Sequence, residues 1–179
     1  MPTTASTDSL QLSAPTVITQ SGMTCWAAAV LSWLKVKNAG ALARYANSEK
    51  GIVDAIREWS ALNVALGQPA LIHDNGGLTG EGSTWVMDNV GSKGIGFKQA
   101  SIVTGTFILS KLKEKGHLYM IRIWVGGMSH AVVVYGIENA NNAKICQISV
   151  MDPRPNYGLK QLSLSELRTD HQVWIAWMP

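Results

Sequence analysis

One segment, Gln20-Ser21-Gly22-Met23-Thr24-Cys25-Trp26-Ala27-Ala28-Ala29, sets a thiol at the start of an apolar stretch with helical spacing, and an amide side chain five residues before it. A thiol in the first turn of a helix feels the positive end of the helix dipole and unpaired backbone N–H groups. Both favour the thiolate, the form that attacks a carbonyl carbon. Such an attack places negative charge on the carbonyl oxygen. Gln20 can donate a side-chain N–H to that oxyanion, and the backbone N–H of Cys25 can donate a second. A nucleophile of this kind needs a base, and the base needs a group to orient it.

Of the four histidines, His130 alone opens a strongly apolar strand pattern, Ser129-His130-Ala131-Val132-Val133-Val134-Tyr135-Gly136. The run Val150-Met151-Asp152-Pro153 carries a single carboxylate to the end of another apolar strand, just before a proline that cannot continue the ladder. If these strands pair antiparallel, the start of one lies beside the end of the other and His130 meets Asp152. One imidazole nitrogen then bonds the carboxylate while the other faces Cys25. Asn139 and Asn156 are weaker candidates for the orienting role. His73 with Asp74, His117 and His171 read as loop or surface residues. Cys146 lies in an alternating run and reads as a small buried strand residue, with an isolated Cys25–Cys146 disulfide as the alternative. Cys25, His130 and Asp152 have neither CxxC nor HxxxH spacing and no evident fourth ligand, so no metal or other cofactor is expected.

The elements that must hold these groups come in the order helices first, strands later, the pattern of an α+β domain. Cys25 to Lys37 has apolar residues at three- and four-residue spacings and ends at Asn38 and Gly40, with Lys35 and Lys37 in the last turn. Gly51 to Leu66 repeats the pattern through Ile52, Ala55, Ile56, Trp59 and Leu62, and Pro69 closes it. His73 to Gly82 reads as a loop, followed by a short amphipathic piece around Trp85 to Val90. A further helix spans about Thr106 to Lys115, with Gly116 as a left-handed cap. Strand patterns follow at Leu118 to Val125, Ala131 to Ile137, Ala143 to Met151 and Gln172 to Trp177, with Gly126-Gly127 joining the first pair and Asn139 to Asn142 the second. Antiparallel neighbours are the simplest arrangement.

At 179 residues and 46% hydrophobic composition the chain suits one domain, 15–179, behind a flexible Ser/Thr-rich tail, 1–14. The formal charge of +3 is scattered, which argues against a nucleic-acid partner, and Lys111, Lys113 and Lys115 read as a solvated helix face. Trp33, Trp59, Trp124 and Trp174 lie in apolar segments and read as core. No apolar run is long enough to span a bilayer, and the N-terminus lacks a signal-peptide pattern. A protein made in the cytoplasm, and exported only by a route without a cleaved leader, is the expectation.

Gln20, Cys25-Trp26-Ala27-Ala28, the segment from Ser129 to Gly136 and Asp152-Pro153 together resemble the papain-like cysteine peptidases. Within that superfamily the chain looks most similar to the bacterial branch, the C39-like bacteriocin-processing peptidases and the AvrRpt2-like C70 effector peptidases. The likeness runs from about Gln20 to the C-terminus. It implies a two-lobed fold, an N-terminal helical lobe packed on a C-terminal antiparallel sheet lobe with a substrate cleft between. It also implies the roles: Gln20 as oxyanion donor, Cys25 as nucleophile, His130 as base and Asp152 as its orienter. No transporter or ATP-binding segment accompanies it, which suits a delivered bacterial effector or toxin acting on a protein in another cell, with an immunity protein in its producer. C39-like peptidases favour cuts after paired glycines, and the resemblance extends that expectation here. Glutamine deamidases and transglutaminases use the same three groups, and a non-catalytic binding module is the remaining alternative.

Overall fold

The computed structural model describes residues 7–37, 47–89, 96–100, 103–124, 129–168 and 171–178. In chain order these form β1 (Leu10–Gln11), α1 (Cys25–Val36), α2 (Glu49–Ala65), α3 (Gly80–Asn89), β2 (Gly96–Ala100) and α4 (Gly105–Lys115). Then come β3 (Leu118–Trp124), β4 (Ser129–Glu138), β5 (Gln147–Asp152), β6 (Gly158–Ser163), α5 (Leu164–Arg168) and β7 (His171–Trp177). The strands make one sheet in the order β2-β7-β3-β4-β5-β6, every pairing antiparallel, with β1 added on β4. The expected α+β architecture is present.

Side-chain alternation in the central strands divides the interior into two cores. Tyr119, Ile121, Ala131, Val133 and Met151 face α1 and α2. Leu118, Met120, Val132, Val134, Ile148 and Val150 face α4 and α5. Burial on both faces explains why β4 carries the unbroken run from Ala131 to Tyr135 instead of an alternating pattern. The helix α1 is the central piece of the first core: Trp26 through Leu34 are all buried, and Trp33 stacks on Tyr119 with ring centroids 5.6 Å apart. The Trp33 indole N–H donates to the His117 carbonyl at 2.9 Å, so its one polar atom is satisfied inside the protein.

Several expectations are corrected here. Trp59 is 51% exposed and Leu62 55%. The face α2 buries runs through Ile52, Val53, Ile56 and Ser60, and Trp59 leans outward on Trp85. Ser60, a polar residue no hydrophobic pattern would select, is buried because its Oγ accepts the Leu71 N–H at 2.9 Å. His117 is buried, with Nε2 2.7 Å from the Ser13 carbonyl oxygen. The strand expected from Ala143 starts at Gln147, because turn hydrogen bonds from Asn139 to Ile145 occupy the preceding backbone. Cys146 just ahead of it is buried, and no disulfide joins it to Cys25. Gly116 takes a positive φ of 72° but a ψ of −146°, away from the left-handed helical value. Lys111 and Lys115 pair with Glu114, and exposed Lys113 donates to the Thr7 carbonyl.

Of the segment expected as a tail, Leu10–Gln11 pair with Ile137 and Gly136 of β4. Gly136 makes this possible: a Cβ there would lie 2.1 Å from Gln11 Oε1, which accepts the Ser149 hydroxyl at 3.0 Å. The turns expected at Asn38 to Gly40 and at Gly126-Gly127, and the side chains of Trp124 and His171, lie outside the described residues.

Candidate active site

The segment leading into α1 is folded by its own polar groups. Gly22 takes a φ of +65°, a conformation that costs glycine little, and turns the chain back before the helix. Thr24 occupies the N-cap position but its hydroxyl does not bond the helix. It donates to the Ser21 carbonyl and contacts the Glu49 carboxylate, which also accepts the Ser21 N–H at 3.1 Å. The Thr24 carbonyl accepts from Ala27 and Ala28, so the N–H groups of Cys25 and Trp26 are left at the open end of the helix. The first turn is held from the other side by the Trp26 indole, which donates to the Gly76 carbonyl at 2.8 Å.

The half-buried Cys25 thiol sits at this helix start. Burial pushes it above its ordinary value. The backbone N–H of Ala131 and that of Trp26 pull it back, Asp152 pushes it up further, and the N–H of Cys25 itself lowers it. The helix start does favour the thiolate, as the sequence suggests, but desolvation outweighs it. Thiolate at neutral pH therefore needs a cation beside it.

His130 and Asp152 meet at the end of β4 and β5. The strands pair Val133 with Met151 and Val134 with Val150, so the start of β4 and the end of β5 share one edge of the sheet. His130 Nε2 lies 2.8 Å from Asp152 Oδ1, with His130 6% exposed and Asp152 fully buried. With Nε2 committed to the carboxylate, proton exchange with a thiol falls to Nδ1. Burial alone would raise the Asp152 carboxyl, but the hydrogen bonds from His130 and from the Arg154 side chain and backbone hold it well below the ordinary carboxylate range.

Arg154 is the residue that sequence reasoning missed. Its Nε and Nη2 fork onto both oxygens of Asp152, with Nη2 to Oδ2 at 2.7 Å, and its backbone N–H donates to Oδ1 at 3.0 Å. The signal was present in Asp152-Pro153-Arg154. An aspartate two residues ahead of an N–H closes an Asx turn, and the proline fixes the intervening backbone.

Gln20 is tied to the same edge through its backbone N–H, which donates to the Pro153 carbonyl at 2.8 Å. Its side-chain Nε2 donates to the Gly22 carbonyl at 2.6 Å, while Oε1 is buried without a hydrogen-bond partner among the described residues. One amide hydrogen of Gln20 thus remains for another acceptor. Gln20, Cys25, His130 and Arg154 all line one cleft of about 600 Å³. Its helical wall carries Met23, Trp26, His73, Asn75 and Leu78, and its sheet wall Ile121, Ser129 and Ala131. A shallower depression beside Pro69 and Trp85 has Glu81 and Asp88 on its lining. Among the described residues no cluster of three metal-ligating side chains occurs, and no helix is long and apolar enough to cross a membrane.

The fold is shared with solved structures at low identity. The peptidase domain of Streptococcus ComA, a bi-functional ABC transporter involved in a quorum-sensing pathway, matches at a TM-score of 0.55 and 17% identity, over 91% of this chain and 98% of that one. A chain from a study of antibody cross-reactivity between the mite allergens Blo t 1 and Der p 1 matches at a TM-score of 0.53 and 11% identity, over 98% of this chain and 72% of that one. A helical layer against an antiparallel sheet, with a cysteine-bearing helix start in the cleft, defines a papain-like cysteine peptidase. More narrowly, the model of the papain-like cysteine protease AvrRpt2 family matches residues 6–172, and the chain belongs to that family. Among curated proteins nothing matches.

Proposed function

We propose that the chain is a cysteine endopeptidase working through Cys25, His130 and Asp152, with Gln20 as oxyanion donor. His130 Nδ1 takes the Cys25 proton, and the thiolate attacks a backbone carbonyl. The backbone N–H of Cys25 and the remaining amide hydrogen of Gln20 stabilise the oxyanion. The imidazolium then protonates the leaving amine, and water, activated by the neutral imidazole, clears the thioester. Asp152 holds the imidazole tautomer and stabilises its charged form. The observation that carries this reading is the buried 2.8 Å contact between His130 and Asp152 on the wall of the cleft that also holds Cys25.

The substrate is a protein, and the reading extends to a delivered bacterial effector or toxin, acting in a target cell and paired with an immunity protein in its producer. A preference for Gly-Gly ahead of the cut belongs to the same reading. A degenerate peptide library tests it, digested by the wild type and by Cys25→Ala. Cleavage by the wild type alone, with glycine enriched on the acyl side, is expected. Cleavage retained by Cys25→Ala would remove the nucleophile, and cleavage without glycine enrichment would remove the specificity.

A further inference from the structure

Asp152 has more partners than its role as a histidine orienter requires. Its Oδ1 takes the His130 imidazole, the Arg154 backbone N–H and Arg154 Nε, and its Oδ2 takes Arg154 Nη2. Lys160 Nζ stands 3.8 Å from Oδ2. Arg154 is itself held in place: its guanidinium lies 4.0 Å from the Tyr157 ring centroid, and Lys160 covers the same ring at 4.5 Å. The side chain is one-third exposed, and Arg154 is among the residues that line the cleft with Cys25.

We propose that Arg154 is a positioning residue of the active site, its fork locking Asp152 against His130 and its charge serving as a second cation for the Cys25 thiolate. This rests on the Cys25–His130–Asp152 reading above. Two effects follow from the geometry. The fork restrains both carboxylate oxygens, so the imidazole ring is aimed by a fixed acceptor instead of a rotating one. Arg154 and Cys25 line the same cleft, so the charge acts on the thiolate through space, and Cys25 in turn pushes the Arg154 guanidinium upward. The other charged and titratable groups around this centre are His73 on the facing wall of the cleft, Arg122, opposite His130 on β3, Lys160 on β6, Glu166 on α5, Tyr157 in the turn before β6 and Tyr119 beneath Cys25.

Removing one positive charge from this site makes thiolate formation at Cys25 harder, so the ionisation that produces the thiolate moves to higher pH. A purely structural defect would lower the reaction rate without moving the profile.

The test is the pH dependence of iodoacetamide alkylation at Cys25, assigned by peptide mass, in the full chain and in His130→Ala, Arg154→Gln and Arg154→Lys. The wild type should alkylate at lower pH than His130→Ala, because a thiol raised by burial loses in that variant the cation that pairs with its thiolate. In Arg154→Gln the profile should move upward by about half to one pH unit, the order expected of one charge at this range in a partly solvated site. Arg154→Lys keeps the charge and loses the fork, so its profile should stay within a few tenths of a unit of the wild type. A His130→Ala profile identical to the wild type overturns the Cys25–His130 reading and this proposal with it. A normal His130→Ala effect with an unmoved Arg154→Gln profile overturns the role of Arg154 alone. Should Arg154→Gln not fold, Arg154→Lys decides: a profile displaced by half a unit or more contradicts the charge account.

Discussion

His130 Nε2 and Asp152 Oδ1 lie 2.8 Å apart in a site where Asp152 is inaccessible to water and His130 nearly so. In the proposed mechanism that contact leaves Nδ1 as the imidazole nitrogen that serves the thiol. It also ties the chemistry to the β4–β5 register, because a one-residue slip would turn His130 to the other face of the sheet.

Asp152→Asn should separate catalysis from stability through pH. The carboxyl lies below its ordinary value in the folded protein, so its stabilisation is present above the ordinary carboxylate range and is lost as pH falls through and below it. The variant should be less stable by roughly 2 kcal/mol near pH 7, the cost of weakening hydrogen bonds to a buried charge. The gap should close on acidification below about pH 4. Denaturant melts at pH 7 and pH 3 check this, and an equal gap at both would remove Asp152 as the source.

Gln20→Ala should lower kcat by roughly 10- to 1000-fold with little change in KM, because an oxyanion donor acts only once the tetrahedral intermediate forms. Steady-state kinetics on a cleaved peptide measure it. A change confined to KM would make Gln20 a substrate-binding residue instead.

The two thiols should differ in accessibility. Cys25 opens onto the cleft, whereas Cys146 is fully buried among apolar side chains. Brief alkylation of the native protein should add one label, at Cys25, and a second only on unfolding. A native label at Cys146 would contradict its placement.

The tryptophans give a test of the packing. Trp33→Ala removes a fully buried ring stacked on Tyr119 and should cost roughly 3–5 kcal/mol. Trp59→Ala removes a ring that is half in water and should cost about 1 kcal/mol or less. Comparable losses at both would place Trp59 in the core.

The residues that were legible in the sequence are those whose signal is local. Cys25 opens an apolar helix pattern, His130 opens an apolar strand and Asp152 ends one, and antiparallel pairing of neighbouring strands then brings the last two together. What escaped depends on contacts across the chain. The short strand β1 has no periodicity of its own and exists because Gln11 lies over Gly136. β6 alternates only weakly, and its role is to pair with β5 as an edge strand. Trp59 and His117 were misjudged for one reason: residue type sets a preference for burial, but the neighbour decides it. Trp59 meets the half-buried Trp85 at the rim of the core, and His117 meets the Ser13 carbonyl. Arg154 was hidden because its partner is a carboxylate already assigned to another task.

The central claim, peptide-bond cleavage through the Cys25 thiolate, is tested most directly by labelling new protein N-termini in a cell lysate incubated with the wild type or with Cys25→Ala. The account predicts new termini with the wild type and none with the variant, and aligning them reads out the cleavage motif. Mass increases of about one dalton at glutamine or asparagine without new termini, the amide-to-acid difference left when an acyl group passes from nitrogen to water, would contradict it and make the enzyme a deamidase.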